Sequence, residues 1–307
     1  MQTKIYWSSF LIFLLWASQP SYAQNRVHQL ARDVYYWSGD LSKHEQTNVG
    51  FVVFRDYVLV IDANFPWAAE KIIADIKTIT PKPIRFVFNT HYHADHTLGN
   101  SVFVAHGAAI VSTDELALEL GAKGMEDVED QTKIKLEHLE LPSIRFHDRL
   151  VFDDGQHWVE LIKYGQAHTK GDGVAYLPAE GIVFVGDLAV NWTSGNNLSD
   201  QDVRYIGWIR ALDHIAKLPI KTVVPAHGDI GDVDLLHRQR DFIADMWEQV
   251  KQGLTAGKSC VELKKTVQLT QHGIFAANRQ ETEDTIESMC ERARSQPDWN
   301  SGNGSPE

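Results

Sequence analysis

The chain has 307 residues, 43% hydrophobic and 23% charged, which suits one large domain or two small ones with an ordinary soluble composition. Collagen-like, disordered and disulfide-scaffold classes are excluded. With 29 basic and 41 acidic side chains the formal charge is −12, which disfavours a nucleic-acid backbone as partner.

The chain opens with Lys4, an apolar run over residues 10–17, and then Ser21-Tyr22-Ala23. A positive start, an apolar stretch short for a span, and small residues before the cut predict a secretory signal peptide over 1–23. The competing reading is an uncleaved anchor. No cysteine follows the run, so no lipoprotein anchor is expected, and no other stretch approaches transmembrane length. The mature protein is expected to be periplasmic or secreted, with no stable membrane insertion. Its two cysteines, Cys260 and Cys290, could pair in an oxidising compartment or remain two buried thiols.

After the signal, runs at 34–37, 49–54 and 57–62 read as strands, the last two forming a hairpin at Arg55-Asp56. Residues 67–80 place Ala69, Ile72, Ile73, Ile76 and Ile79 at helical spacing, and Pro81 and Pro83 stop the helix. A strand over 84–89 runs into a histidine-rich loop. Further strands are predicted near 109–111, 149–152, 159–163, 174–176 and 182–185. A helix over about 201–217, a strand at 222–224 and a long helix over 233–253 follow. The acidic stretch 121–140 reads as a connecting helix or surface excursion, and 301–307 as a disordered tail. This alternation predicts an α/β chain with helix-covered sheets. The expected division is a catalytic domain over 24–255 and a C-terminal helical extension over 256–300.

Five of the 14 histidines sit at strand ends beside glycine or aspartate. The first cluster is His91-Tyr92-His93-Ala94-Asp95-His96. Two histidines two apart on an extended segment project to one side, so both can ligate one ion, and Asp95 and His96 can address a second. Gly165 to Asp172, containing His168, is the next cluster. Gly186-Asp187 and Pro225-Ala226-His227-Gly228 complete the set. Imidazole and carboxylate donors without thiolate suit zinc, with iron, manganese or cobalt as alternatives. Gathering these groups without a metal would be costly.

These motifs, in this order and spacing, resemble the metallo-β-lactamase superfamily over roughly residues 34–249. The resemblance implies an α/β (α+β) four-layer αββα sandwich with the metals at one edge. It also implies two zinc ions: His91, His93 and His168 on the first, Asp95, His96 and His227 on the second, and Asp187 bridging both. Asp62 matches a structural aspartate that supports the metal loop. The subclasses with a cysteine ligand carry it where this chain has Asp187. A bridging aspartate is shared instead with glyoxalase II, lactonases, the ribonuclease Z group and many uncharacterised hydrolases, and Gly165 to Asp172 with Gly186-Asp187-Leu188 most resembles exported, β-lactamase-like hydrolases.

The implied chemistry is hydrolysis of a carbonyl bond by a metal-bridging hydroxide, with Asp95 orienting the nucleophile and moving its proton. Tyr92, Trp67, Asn191 and Trp192 are candidate pocket residues. The readings are a hydrolase of a small ester, lactone, thioester or amide, or a β-lactamase acting on antibiotics. Phosphodiester cleavage is disfavoured by the acidic chain. A metal-bearing accessory factor of a periplasmic oxidation system, without catalysis, is the remaining alternative. The sequence carries no signature of an oligomeric state.

Overall fold

Apolar side chains on both faces of a strand demand cover on both sides, and the central strands here have them. The computed structural model describes residues 26–192 and 197–295. The predicted signal segment and the predicted tail lie outside the described residues.

The first sheet contains β1 (Val27–Ala31), β2 (Val34–Trp37), β3 (Val49–Val53), β4 (Val58–Ile61), β5 (Ile84–Phe88), β6 (Ala109–Thr113) and β7 (Ile144–Phe146), paired in that order. Strands β1 to β4 pair antiparallel, and β4 to β7 pair parallel. The second sheet contains β8 (Arg149–Asp153), β9 (Trp158–Lys163), β10 (Gly173–Leu177), β11 (Ile182–Phe184) and β12 (Thr222–Val224). It is antiparallel except for the parallel pair β11–β12.

Strand alternation builds the layers. Val52, Leu59, Ile61 and Phe88 of the first sheet face Leu161, Ala175, Leu177 and Phe184 of the second in one apolar layer. Gly50 permits this approach, because a Cβ there would lie 2.4 Å from the Phe184 ring. On the outer face, Phe51, Val53, Val58 and Val60 pack on Ala69, Ile72, Ile73 and Ile76 of α1 (Pro66–Ile79) and on Phe103 of α3 (Asn100–Ala105), which follows the short α2 (Ala94–Thr97). The outer face of the second sheet, with Val174, Tyr176, Val183 and Val223, packs on α5 (Tyr205–Ile215) and α6 (Val233–Thr255). The same cluster takes in Leu263 of α7 (Cys260–Thr266) and Ile286, Met289 and Cys290 of α8 (Arg279–Ser295). Cys260 and Cys290 form a disulfide, with Cα atoms 5.7 Å apart. The result is the four-layer αββα sandwich with C-terminal helices. No helix among the described residues is long and apolar enough to cross a membrane.

Three sequence expectations are corrected. Of the acidic stretch 121–140, residues 133–140 lie outside any helix, and 121–132 are the second part of a longer helix, α4 (Asp114–Thr132). Its start is capped by the Thr113 side chain, which accepts from the Leu116 amide, and Gly121 and Gly124 blur its periodicity. The helix expected from residue 201 begins at Tyr205, because residues 199–204 are held in a loop whose Arg204 amide donates to the Ala167 carbonyl. Ile79, placed on the buried face of α1, is 37% exposed.

Candidate metal centre

The parallel strands β4 and β5 and the parallel pair β11–β12 end at one edge of the sandwich, where the next residues turn. Asp62 follows β4, the 91–96 loop follows β5, His168 lies between β9 and β10, Asp187 follows β11, and His227 follows β12. Tight cross-links hold these loops together. The Gly173 amide donates to the Thr90 carbonyl across the sheets, the Ala226 amide to the Gly186 carbonyl, and the Gly99 amide to the Asn64 carbonyl. Asn48 donates to the carbonyls of Pro225 and Gly228.

Two groups of buried donors result, each able to hold a metal ion: His91, His93, His168 and Asp187, and beside them Asp95, His96 and His227. In the first, the Nδ1 of His93 lies 3.1 Å from His91 Nε2 and 3.2 Å from His168 Nε2. Asp187 Oδ2 is 4.0 Å from His91 Nε2 and 3.7 Å from His168 Nε2. In the second, His96 Nε2 is 3.6 Å from Asp95 Oδ2 and 3.4 Å from Asp187 Oδ1. His227 Nε2 is 3.3 Å from that same Asp95 oxygen and 3.2 Å from Asp187 Oδ1. Ligands about 2.0–2.1 Å from a tetrahedral zinc stand roughly 3.3 Å apart, so both groups fit an ion of that size. The His96 Nε2 atom is buried with no hydrogen-bond partner, as a nitrogen reserved for a cation would be.

Electrostatics separates the two groups. Burial, aided by His96, holds His91 well below the ordinary imidazole range, and burial with His93 lowers His168 to about 3. Burial alone would lower His96 and His227 too. Around His96, however, Asp95, Asp62 and Asp187 outweigh it and raise the group, and Asp187 and Asp95 raise His227 to about 10. Asp187 is held well below the usual carboxylate range despite its burial, by His227 and His96. His91 and His168 therefore offer neutral nitrogens ready for a metal, and His96 and His227 hold protons where a cation would sit.

The supporting shell explains how each ring is aimed. Asp62 Oδ2 lies 3.0 Å from His96 Nδ1, and its carboxylate accepts from the Thr90 amide at 2.8 Å and the Thr90 hydroxyl at 2.9 Å. This fixes the His96 tautomer and leaves Nε2 for metal. Thr47 donates to Asp95 Oδ2 at 3.0 Å. Asp172 accepts from the Thr169 amide and hydroxyl, closing the turn behind His168. Asp200 Oδ2 stands 3.8 Å from the outer nitrogen of His93.

The predicted pocket residues fall in different places. Trp192 stacks on His227 with ring centroids 4.7 Å apart, at the metal edge. Tyr92 is buried and donates to Asp202 at 3.0 Å. Trp67 stacks on Phe65 and donates to the His44 carbonyl at 2.8 Å. With His44, Gln46 and Ile134 it lines a groove of about 460 Å³. Asn191 braces its loop: its side chain donates to the Asp229 carbonyl and its amide to that of His227. Of the polar segment expected beside Trp192, residues 193–196 lie outside the described residues. Sequence reasoning assigned no role to Thr47, Asp172, Asp200 or Asp202. Only Asp172 carried a local signal, a threonine three residues before an aspartate in a glycine-rich turn.

An αββα sandwich with two adjoining histidine–aspartate donor groups sharing one carboxylate at its edge defines a class of metal-binding proteins. The profile of the metallo-beta-lactamase superfamily matches residues 43–227, and the chain belongs to that superfamily. It is similar to the metallo-beta-lactamase type 2 of Bacteroides fragilis, 31% identical over 131 residues, covering 40% of this chain and 52% of that protein. The Bacillus cereus protein of the same name is 26% identical over 183 residues, covering 57% and 63%. The chain thus spans 52–63% of the length of these curated relatives. Among solved structures, a metallo-beta-lactamase from Pontibacter korlensis superposes with a TM-score of 0.58 at 22% identity, covering 71% of this chain and 98% of that one; at that identity the likeness speaks for the fold.

Proposed function

We propose that this protein is a metal-dependent hydrolase that uses two divalent cations, zinc from the chemistry of its donors, to cleave a carbonyl bond in a small ester, lactone, thioester or lactam. The observation that carries this reading is the pair of buried donor groups meeting at the two oxygens of Asp187. When bound, such ions supply a water acidified to near neutral pH and a Lewis acid for the attacked oxygen. His91, His93 and His168 would hold one ion, Asp95, His96 and His227 the other, with Asp187 touching both. Asp95, steadied by Thr47, would also orient an attacking water and take its proton. Trp192, flat against His227, forms an apolar wall.

The same reading takes export as the fate of the chain, periplasmic or secreted, with a small-molecule substrate and no nucleic-acid partner. The signal-like start and the Cys260–Cys290 disulfide support an oxidising compartment. A second reading, hydrolysis of β-lactam antibiotics, is favoured by the names of the curated relatives. Against it, Lys123 and Lys170, beside Tyr92 and His168, are paired with Glu119 and Asp202 and offer no free cation to a drug carboxylate.

The test is metal content of the purified protein with parallel hydrolysis of a chromogenic cephalosporin, a lactone and a thioester, before and after chelation. Two zincs and chelator-sensitive turnover of the ester-like substrates alone support the broader hydrolase. Opening of the cephalosporin selects the β-lactamase reading. Metal without turnover of any substrate leaves the accessory role, and no metal at all overturns the proposal.

A further inference from the structure

The C-terminal helix α8 lies beyond the residues that match the superfamily, yet one face of it grips a loop at the metal centre. Glu281, Ser288 and Arg292 share that face by helical spacing. The Asn197 amide donates to Glu281 at 3.2 Å, and the Ser288 hydroxyl donates to the Ser199 carbonyl at 3.1 Å. Arg292 donates to the carbonyls of Val203 at 2.7 Å and Ser199 at 3.2 Å, and also to that of Asp200. Only a guanidinium offers a fixed fork of five donors able to collect three carbonyls from one irregular turn.

The other side of this loop faces the first donor group. Asp200 stands 3.8 Å from His93 Nε2, the nitrogen opposite the one facing the metal position. Asp202 accepts from Tyr92, between His91 and His93. The Arg204 amide donates at 2.8 Å to the carbonyl of Ala167, the residue before His168. Each carbonyl that Arg292 holds is thus within two residues of a contact with the segments carrying His93 or His168. The helix is itself anchored, with Ile286 and Met289 buried in the second-sheet cluster and Cys290 tied to Cys260.

We propose that Arg292 is a positioning residue of the metal centre, acting through the 199–203 loop to hold His93 and the His168 turn in ligating geometry. This rests on the reading that His91, His93 and His168 hold an ion. It makes the C-terminal extension part of the site's construction.

The test compares Arg292→Ala, Arg292→Lys and, as control, Arg294→Ala, an exposed position on the same helix. Stepwise zinc affinities are measured by chelator competition, the first-group step being the one lost in His168→Gln. Hydrogen exchange at the Arg204 amide is followed on the metal-free proteins. Arg292→Ala is expected to weaken the first-group step by about tenfold or more, in the range for lost outer-shell partners, and to speed exchange at Arg204. Arg292→Lys should recover part of both losses, and Arg294→Ala should change neither. Unchanged first-group affinity, or unchanged Arg204 exchange, in Arg292→Ala overturns the proposal. Should Arg292→Ala not fold, Asp200→Asn and Ser288→Ala carry the test, and full zinc affinity in both overturns it. An unmodified chain that binds no zinc defeats the metal reading separately, and the clamp is then judged on Arg204 exchange alone.

Discussion

Replacing Asp62 by Asn changes one atom at a site where that atom decides a tautomer. Asp62 is 2% exposed and His96 fully buried, so water cannot repair a lost contact. The backbone at Asp62 has φ 65°, a left-handed conformation that Asn tolerates as well as Asp, so the turn survives. If the amide oxygen keeps the Thr90 N–H, the new NH₂ takes the place of Oδ2 and faces His96 Nδ1. It can only donate there, which leaves Nδ1 unprotonated and puts the proton on Nε2, the nitrogen that faces the metal position. The opposite rotamer aims NH₂ at the Thr90 N–H, two donors face to face, and costs about 1–3 kcal/mol for the unpaired backbone group. The expected loss of affinity for the second ion is about 10–100-fold, roughly 1.4–2.7 kcal/mol. The metal-free fold should lose only about 1–2 kcal/mol as charged hydrogen bonds become neutral. Zinc titration against a competing chelator, beside thermal melts of the metal-free protein, separates the two effects. Asp62→Asn binding the second ion as tightly as the parent would refute the tautomer argument.

Three further outcomes are expected. Asp95→Asn should keep the fold while losing turnover by about 10²–10⁴-fold, the usual weight of a general acid–base group; near-parental turnover removes Asp95 from proton transfer. Zinc affinity of the second group should climb between pH 6.5 and 8.5. There His96 and His227 sit above the ordinary range, His227 at about 10, so zinc must displace protons whose hold weakens as pH rises. His91 and His168, lowered and already neutral at these pH values, should contribute no such slope, and equal slopes for the two steps would contradict the charge assignment. Cys260→Ser opens a disulfide of sequence separation 30, worth about 3–4 kcal/mol by loop entropy. A melting temperature lower by roughly 10 °C is expected, and an unshifted melt would mean the bond adds no stability.

The helix-covered sheets and the donor groups were legible in the sequence for one reason: both are written locally, whereas the four-layer sandwich was implied by the family resemblance. The unbroken apolar runs at 49–53 and 58–61 report two buried faces directly, and the turn after β5 carries His91, His93, Asp95 and His96 within six residues. The apolar spacing of Ile72, Ile73 and Ile76 likewise marks the buried stripe of α1, which Ile79, the last residue of the helix, overshoots.

What surrounds the ligands was decided by the tertiary structure, because a hydrogen-bond partner needs only the right atom at the right point and leaves no period behind. Thr47 reaches Asp95 from 48 residues away, and Arg292 reaches the Val203 carbonyl from 89 residues away. No pattern near either residue announces the contact. The late start of α5 has the same origin: backbone groups of residues 199–204 are taken by Arg292, Ser288 and Ala167. Nothing beside Asn191 in the sequence announces the Asp229 carbonyl that the fold brings to its side chain. Local chemistry in this chain names the groups that can hold metal. Packing between distant segments determines which nitrogen each ring turns toward it.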